Sequence, residues 1–137
     1  VAGLKQRLGE ACQVHAEDIG PTKEWGFPAS DVARHRFPAY SEAIHRHDQA
    51  FDLILVDGRF RVASVLNAIR HTLNVSNQPG DTRLFIHDFW NRRHYHAVLE
   101  FLVEEESAET AGVFRIAEDI DPERIASVLE EYRYQPA

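Results

Sequence analysis

The chain has 137 residues, 44% of them hydrophobic, and a net charge of −7, which fits one globular domain with a real core. That acidity argues against non-specific nucleic-acid binding. The apolar runs fall far short of the about 20 residues that span a membrane, and no signal-peptide pattern is present, so the expected location is the cytoplasm.

The single Cys12 excludes an internal disulfide framework and a cysteine-based zinc site, and reads as a small buried or idle thiol. Helix-like sequence begins almost at Val1, without an initiator methionine, so the chain is expected to be part of a larger protein. Leu4, Leu8 and Ala11 have the spacing of a short helix over Leu4 to Cys12. Gln13 to Asp18 reads as a brief strand, broken by Ile19-Gly-Pro-Thr22. From Gly20 to Tyr40, Pro21, Gly26, Pro28 and Pro38 forbid long regular structure, and Trp25, Phe27, Phe37 and Tyr40 are interleaved with them. Rings in a loop need a surface to pack on, so this segment is either pinned to the domain or a lid over a pocket. Ser41 is the predicted N-cap of a helix through His47. His45 and His47, two apart on a helix, face different ways and are poor joint metal ligands.

Asp52 to Val56 is a continuous apolar strand, predicted to be covered on both faces. A helix over Val62 to Leu73 follows, with Val62, Val65, Leu66, Ile69 and Leu73 in one stripe. Leu84, Phe85 and Ile86 form the next buried strand, and His94 to Phe101 a helix with Tyr95 and Val98 inward. Leu102 to Ser107 and Thr110 to Ile116 are predicted to pair antiparallel. Asp121-Pro-Glu123 starts a last helix to Tyr132 that buries Ile125, Val128 and Leu129.

The two apolar strands each run into an acid, Asp57 and Asp88. Strand, acid, loop and helix, repeated, read as an α/β parallel sheet, whose ligands bind beyond the carboxyl ends of its strands. The two strands are therefore expected to be adjacent, parallel and away from the sheet edges, with their ends about 5 Å apart. Three roles are open to the acids: cation ligands, a general base, or contacts to a positively charged group. The plainer alternative is that they cap the following helices or pair with Arg59, Arg61 or Arg92. Those arginines, in turn, are candidates for holding an acidic small molecule. Gly58 suits a sharp turn or a close approach to the backbone. His87, preceding Asp88, is expected on the opposite side of its strand in a structural role. Asn91 to His96 would start a helix with donors that suit an anion.

Taken in order, these elements resemble the second half of a class I S-adenosylmethionine-dependent methyltransferase domain. Leu-Val-Asp57-Gly-Arg-Phe-Arg61 and Ile-His-Asp88-Phe are similar to a group of uncharacterised bacterial proteins with that Rossmann-like fold. The resemblance covers nearly the whole chain as one partial domain, with the N-terminal strands missing and an antiparallel hairpin at the C-terminal side. It implies that Asp18 and Ile19 lie at the adenine of the cofactor, with Asp57 also near it. It implies, too, that Asp57 and Asp88 are the counterparts of two divalent-cation ligands in catechol-type O-methyltransferases, although Asn91 does not directly follow Asp88 as the third ligand would. The glycine-rich cofactor loop of that family has no counterpart here, since the only early glycines are Gly3 and Gly9. The implied activity is methyl transfer to a small oxygen or nitrogen acceptor by the full-length protein; the rival reading is a non-catalytic binding module that has kept the shape.

Overall fold

The computed structural model describes Gly3, Gln6, Arg7 and residues 9 to 137. Of the helix expected over Leu4 to Cys12, residues 4, 5 and 8 lie outside the described residues, while Gln6 and Arg7 are helical and Gly9–Ala11 form a 3₁₀ turn. The architecture is mixed α/β, as the sequence predicts.

Two short apolar segments form the parallel half of the sheet. β1 (Leu53–Val56) pairs in parallel with β2 (Arg83–Ile86), in a register that sets Leu53 beside Arg83 and Val56 beside Ile86. Parallel neighbours need a crossover, here the long helix between them. Numbered after a short helix α1 (Phe37–Glu42), this is α2 (Arg61–Val75). Its stripe of Val62, Val65, Leu66 and Ile69 is buried as the periodicity requires.

The antiparallel half is the expected hairpin. β3 (Leu102–Ala108) and β4 (Ala111–Ile116) pair with each other, and β4 also pairs antiparallel with β2, so the strand order is β1-β2-β4-β3. Glu109, at the tip, takes a left-handed φ of 55°, the conformation a tight hairpin needs. The last helix, α3 (Pro122–Tyr132), begins where predicted, with the Asp121 carboxylate accepting a hydrogen bond from the Glu123 N–H at 3.0 Å. It packs on α2 through Ile125, Val128 and Leu129, closing a core that includes Phe60, Leu84, Ile86 and Phe114.

Several expectations are corrected. β1 is an edge strand of the described sheet, and Leu53 and Leu55 are 62% and 63% exposed while Val56 is buried. The run is apolar throughout, but among the described residues only the face carrying Ile54 and Val56 is covered. Gln13 to Asp18 forms no strand, having no ladder partner. Ser41 is not an N-cap: it is buried within α1, where it donates to the Pro38 carbonyl at 3.2 Å and accepts from Asn67 at 3.1 Å. Pro38 instead sits in the first turn, pre-set for the helix. The segment Arg93–Glu100 is a 3₁₀ helix, with Tyr95 and Val98 buried as expected. No described helix is long and apolar enough to cross a membrane.

Candidate functional site

Parallel pairing brings the ends of β1 and β2 together. Val56 and Ile86 are register partners, so the next residues, Asp57 and His87, emerge side by side, and the His87 N–H donates to the Val56 carbonyl at 3.3 Å. The chain then turns sharply at Asp88, whose φ is 51°. That left-handed residue breaks the strand's alternation, so His87 and Asp88 face the same cleft instead of opposite sides. The His87 Nδ1 lies 3.1 Å from Asp57 Oδ1 and 3.5 Å from Asp88 Oδ2. The two carboxylates thus converge on one ring nitrogen. His87 was expected in a structural role on the far side; the turn at Asp88, which strand periodicity does not foresee, places it between the acids.

Other groups hold the acids. Asp88 accepts from the Thr110 hydroxyl at 3.2 Å and lies 3.8 Å from Arg92, which helps to offset a backbone conformation that costs about 1 kcal/mol. Asp57 lies 3.5 Å from Arg61. The ion-pair reading of the acids is therefore partly met. Their reading as helix caps is not, because the N-cap position of α2 is Phe60 and that of the 3₁₀ segment is Arg92, neither with a side-chain cap.

The arginines separate into two kinds. Arg61 has a side chain only 3% exposed and donates to the Gly58 carbonyl at 3.2 Å and the His87 carbonyl at 2.5 Å. It is a clamp between the two strand ends. Arg59 instead lines the cleft, with its guanidinium 4.3 Å from the Phe27 ring centre and its Nη1 buried without a hydrogen-bond partner among the described residues. Arg92 also lines the cleft, 3.8 Å from Asp88 and with its guanidinium 6.0 Å from the Tyr95 ring centre.

The segment from Gly20 to Tyr40 supplies the opposite wall. Phe37 and Tyr40 pack on Phe60, with ring centres 5.2 and 5.6 Å away, and Phe27 is covered by Arg59. These rings pin the loop. Trp25 is different: it is 84% exposed at a left-handed φ of 61° and stands at the cleft. Gly58 is explained by Tyr40, since a Cβ there would run into the Tyr40 hydroxyl. The close approach predicted at Gly58 is therefore to this side chain.

The cleft has a volume of about 680 Å³. Ile19 lines it, but Asp18 does not: its carboxylate accepts from the Gly20 N–H at 2.9 Å and pairs with Arg36 at 2.7 Å on the surface. Glu17, which the sequence reading passed over, lines the cleft instead and pairs with Arg46. Nothing in local patterning distinguishes Glu17 from Asp18, because an irregular segment has no period to orient them. At the neighbouring turn, His94 titrates below the ordinary histidine range, through burial first and then the positive charges of Arg92 and Arg61.

The expectation of a cation between Asp57 and Asp88 does not fit this arrangement. Among the described residues no group of three or more His, Cys, Asp or Glu side chains is placed to hold a metal ion, and the guanidiniums of Arg61 and Arg92 stand on the acids. Their charge already meets the carboxylates.

Neither a known protein family's sequence profile nor a curated protein matches the chain. Among solved structures, it is similar to a methyltransferase-like protein from Silicibacter pomeroyi DSS-3, with a TM-score of 0.74 and 29% identity over 97% of this chain and 70% of that one. The chain thus has a methyltransferase-like fold.

Proposed function

We propose that the full-length protein transfers a methyl group from S-adenosylmethionine to the oxygen or nitrogen of a small, negatively charged acceptor. The observation that carries this reading is the convergence of Asp57, His87 and Asp88 at the ends of two parallel strands, on one cleft of about 680 Å³. In open α/β sheets, ligands bind at such strand ends. The similarity to a methyltransferase-like structure supports the chemistry.

The donor set fits part of the cofactor. Ile19, Phe27 and Tyr40 give the cleft an apolar, aromatic wall, suited to the flat face of an adenine. Glu17 and Asp57 supply carboxylates in the same cleft, to accept from the cofactor's amine and hydroxyl groups. When bound, S-adenosylmethionine supplies an electrophilic methyl group on a sulfonium. The protein's part is then positioning: Asp57 and Asp88 orient the acceptor, and Arg59 and Arg92 hold its negative charge. Arg61, a candidate from the sequence for holding the acidic acceptor, serves the site instead by fixing the two strand ends.

Calorimetric titration of the full-length protein with S-adenosylmethionine tests the reading, with micromolar affinity expected. No heat of binding at millimolar cofactor would overturn it.

A further inference from the structure

We propose that His87 takes the proton from the reacting hydroxyl through its Nε2, and that the acceptor is accordingly a hydroxy acid. The inference rests on the methyl-transfer reading above and names the base and the acceptor class for the same cleft.

The tautomer follows from the neighbours. Ionised carboxylates only accept hydrogen bonds, and Nδ1 faces two of them, at 3.1 and 3.5 Å. The Nδ1 atom therefore carries the hydrogen, and the lone pair of the neutral ring is left on Nε2. No described residue hydrogen-bonds Nε2, the side chain is 49% exposed, and it lines the cleft. A base oriented through its other ring nitrogen by a carboxylate is the arrangement that general-base catalysis uses.

The acids themselves are worse placed for that role. Asp57 meets His87 and Arg61, and Asp88 meets His87, Thr110 and Arg92. These are the charged and titratable groups that face the ring from β1, α2 and the turn after β2, with Glu17 and Arg59 farther along the cleft. A second observation bears on the acceptor. Arg59 lines the cleft and its Nη1 has no hydrogen-bond partner among the described residues, so its guanidinium is the group with which a carboxylate on the substrate pairs.

The step balances. An oxygen lone pair forms the new C–O bond to the methyl carbon, the S–CH₃ bond breaks with its electron pair going to sulfur, and the hydroxyl proton passes to His87 Nε2. The neutral thioether and the methyl ether leave, and the imidazolium returns its proton to water.

Two measurements on the full-length protein test this. Long-range ¹H–¹⁵N spectra of the histidine side chains should show neutral His87 with its hydrogen on Nδ1; a hydrogen on Nε2 overturns the proposal. In assays with S-adenosylmethionine and 4-hydroxybenzoate, 3-hydroxybenzoate or lactate as probes, His87→Gln should lower kcat by about 10²- to 10⁴-fold. Cofactor affinity and melting temperature should stay near wild type, and the acid limb of the kcat–pH profile should disappear. Retention of that limb, or less than tenfold loss, overturns the role of His87. Cofactor binding without turnover of any of these probes overturns the hydroxy-acid class. Failure to bind cofactor at all would instead remove the methyl-transfer reading on which both stand.

Discussion

The Nδ1 of His87 lies 3.1 Å from Oδ1 of Asp57, a contact between residues 30 apart in sequence. It exists because β1 and β2 run parallel with Val56 opposite Ile86, so that whatever follows each strand emerges at one place. Arg61 reinforces the junction from below by donating to a carbonyl of each strand end. The site and the sheet register are thus one feature. A shift of β2 by one residue would turn its side chains to the other face and separate the pair.

Arg61 and the two cleft arginines should behave oppositely on truncation. Arg61→Ala removes a buried donor to two carbonyls and to Asp57, and should cost about 2–4 kcal/mol, read as a clear fall in melting temperature. Arg92→Ala should leave the melting temperature nearly unchanged, since its 3.8 Å contact with Asp88 is a partly exposed pair of the kind that contributes about 0–1 kcal/mol. Arg59→Ala should do nearly the same, since its guanidinium stands 4.3 Å from the Phe27 ring centre, a contact worth about 0.5–1 kcal/mol. Both should weaken binding of an acidic acceptor in the full-length protein. A large thermal loss for Arg59→Ala would make it a structural residue.

Gly58→Ala should destabilise by about 1–3 kcal/mol, the usual cost of overpacking, because the new methyl meets the Tyr40 hydroxyl. Adding Tyr40→Phe removes that oxygen and leaves the ring carbon Cζ, 3.3 Å from the methyl, as the nearest atom. The double variant should recover most of the loss in chemical denaturation. If it is no more stable than Gly58→Ala, the hydroxyl is not what Gly58 accommodates.

Residues 1 to 137 alone should bind S-adenosylmethionine far more weakly than the full-length protein. The glycine-rich cofactor loop that the resemblance implies has no counterpart in residues 1 to 137, and the described cleft offers the cofactor the surface around Ile19, Tyr40 and Asp57. Calorimetry decides: micromolar affinity of the 137-residue chain would show that loop to be dispensable.

His94 should titrate below 6.5 in the folded protein, held down by burial first and then by Arg92 and Arg61. Because the unfolded chain then binds the proton more readily, stability should fall as the pH drops through 6.5 toward the folded value, and be unaffected by this group above that range. In Arg92→Ala, the NMR titration midpoint of His94 should move up. An unmoved midpoint would remove Arg92 as a cause.

Much of the fold was legible in the sequence because it is written in local patterns. Apolar runs specified β1 and β2, the stripe from Val62 to Ile69 specified α2, and Asp121-Pro122 fixed the start of α3. The same repeat of strand and acid pointed to Asp57 and Asp88 as strand-end groups, and both line the cleft. Local pattern could not say which side chains meet. The strand register sets His87 beside Asp57, and Asp88 joins them because it adopts a left-handed turn. Glu17 replaces Asp18 at the cleft because an irregular segment, held by contacts such as Glu17 with Arg46, has no period from which to read direction. Arg61 and Arg59, alike in sequence and two residues apart, differ because one points into the junction of two strands and the other onto Phe27. Composition and periodicity determined which elements form and which residues end them. The roles of those residues were decided by packing between segments far apart in the chain, where the charges, carbonyls and rings that each side chain meets are first brought within reach.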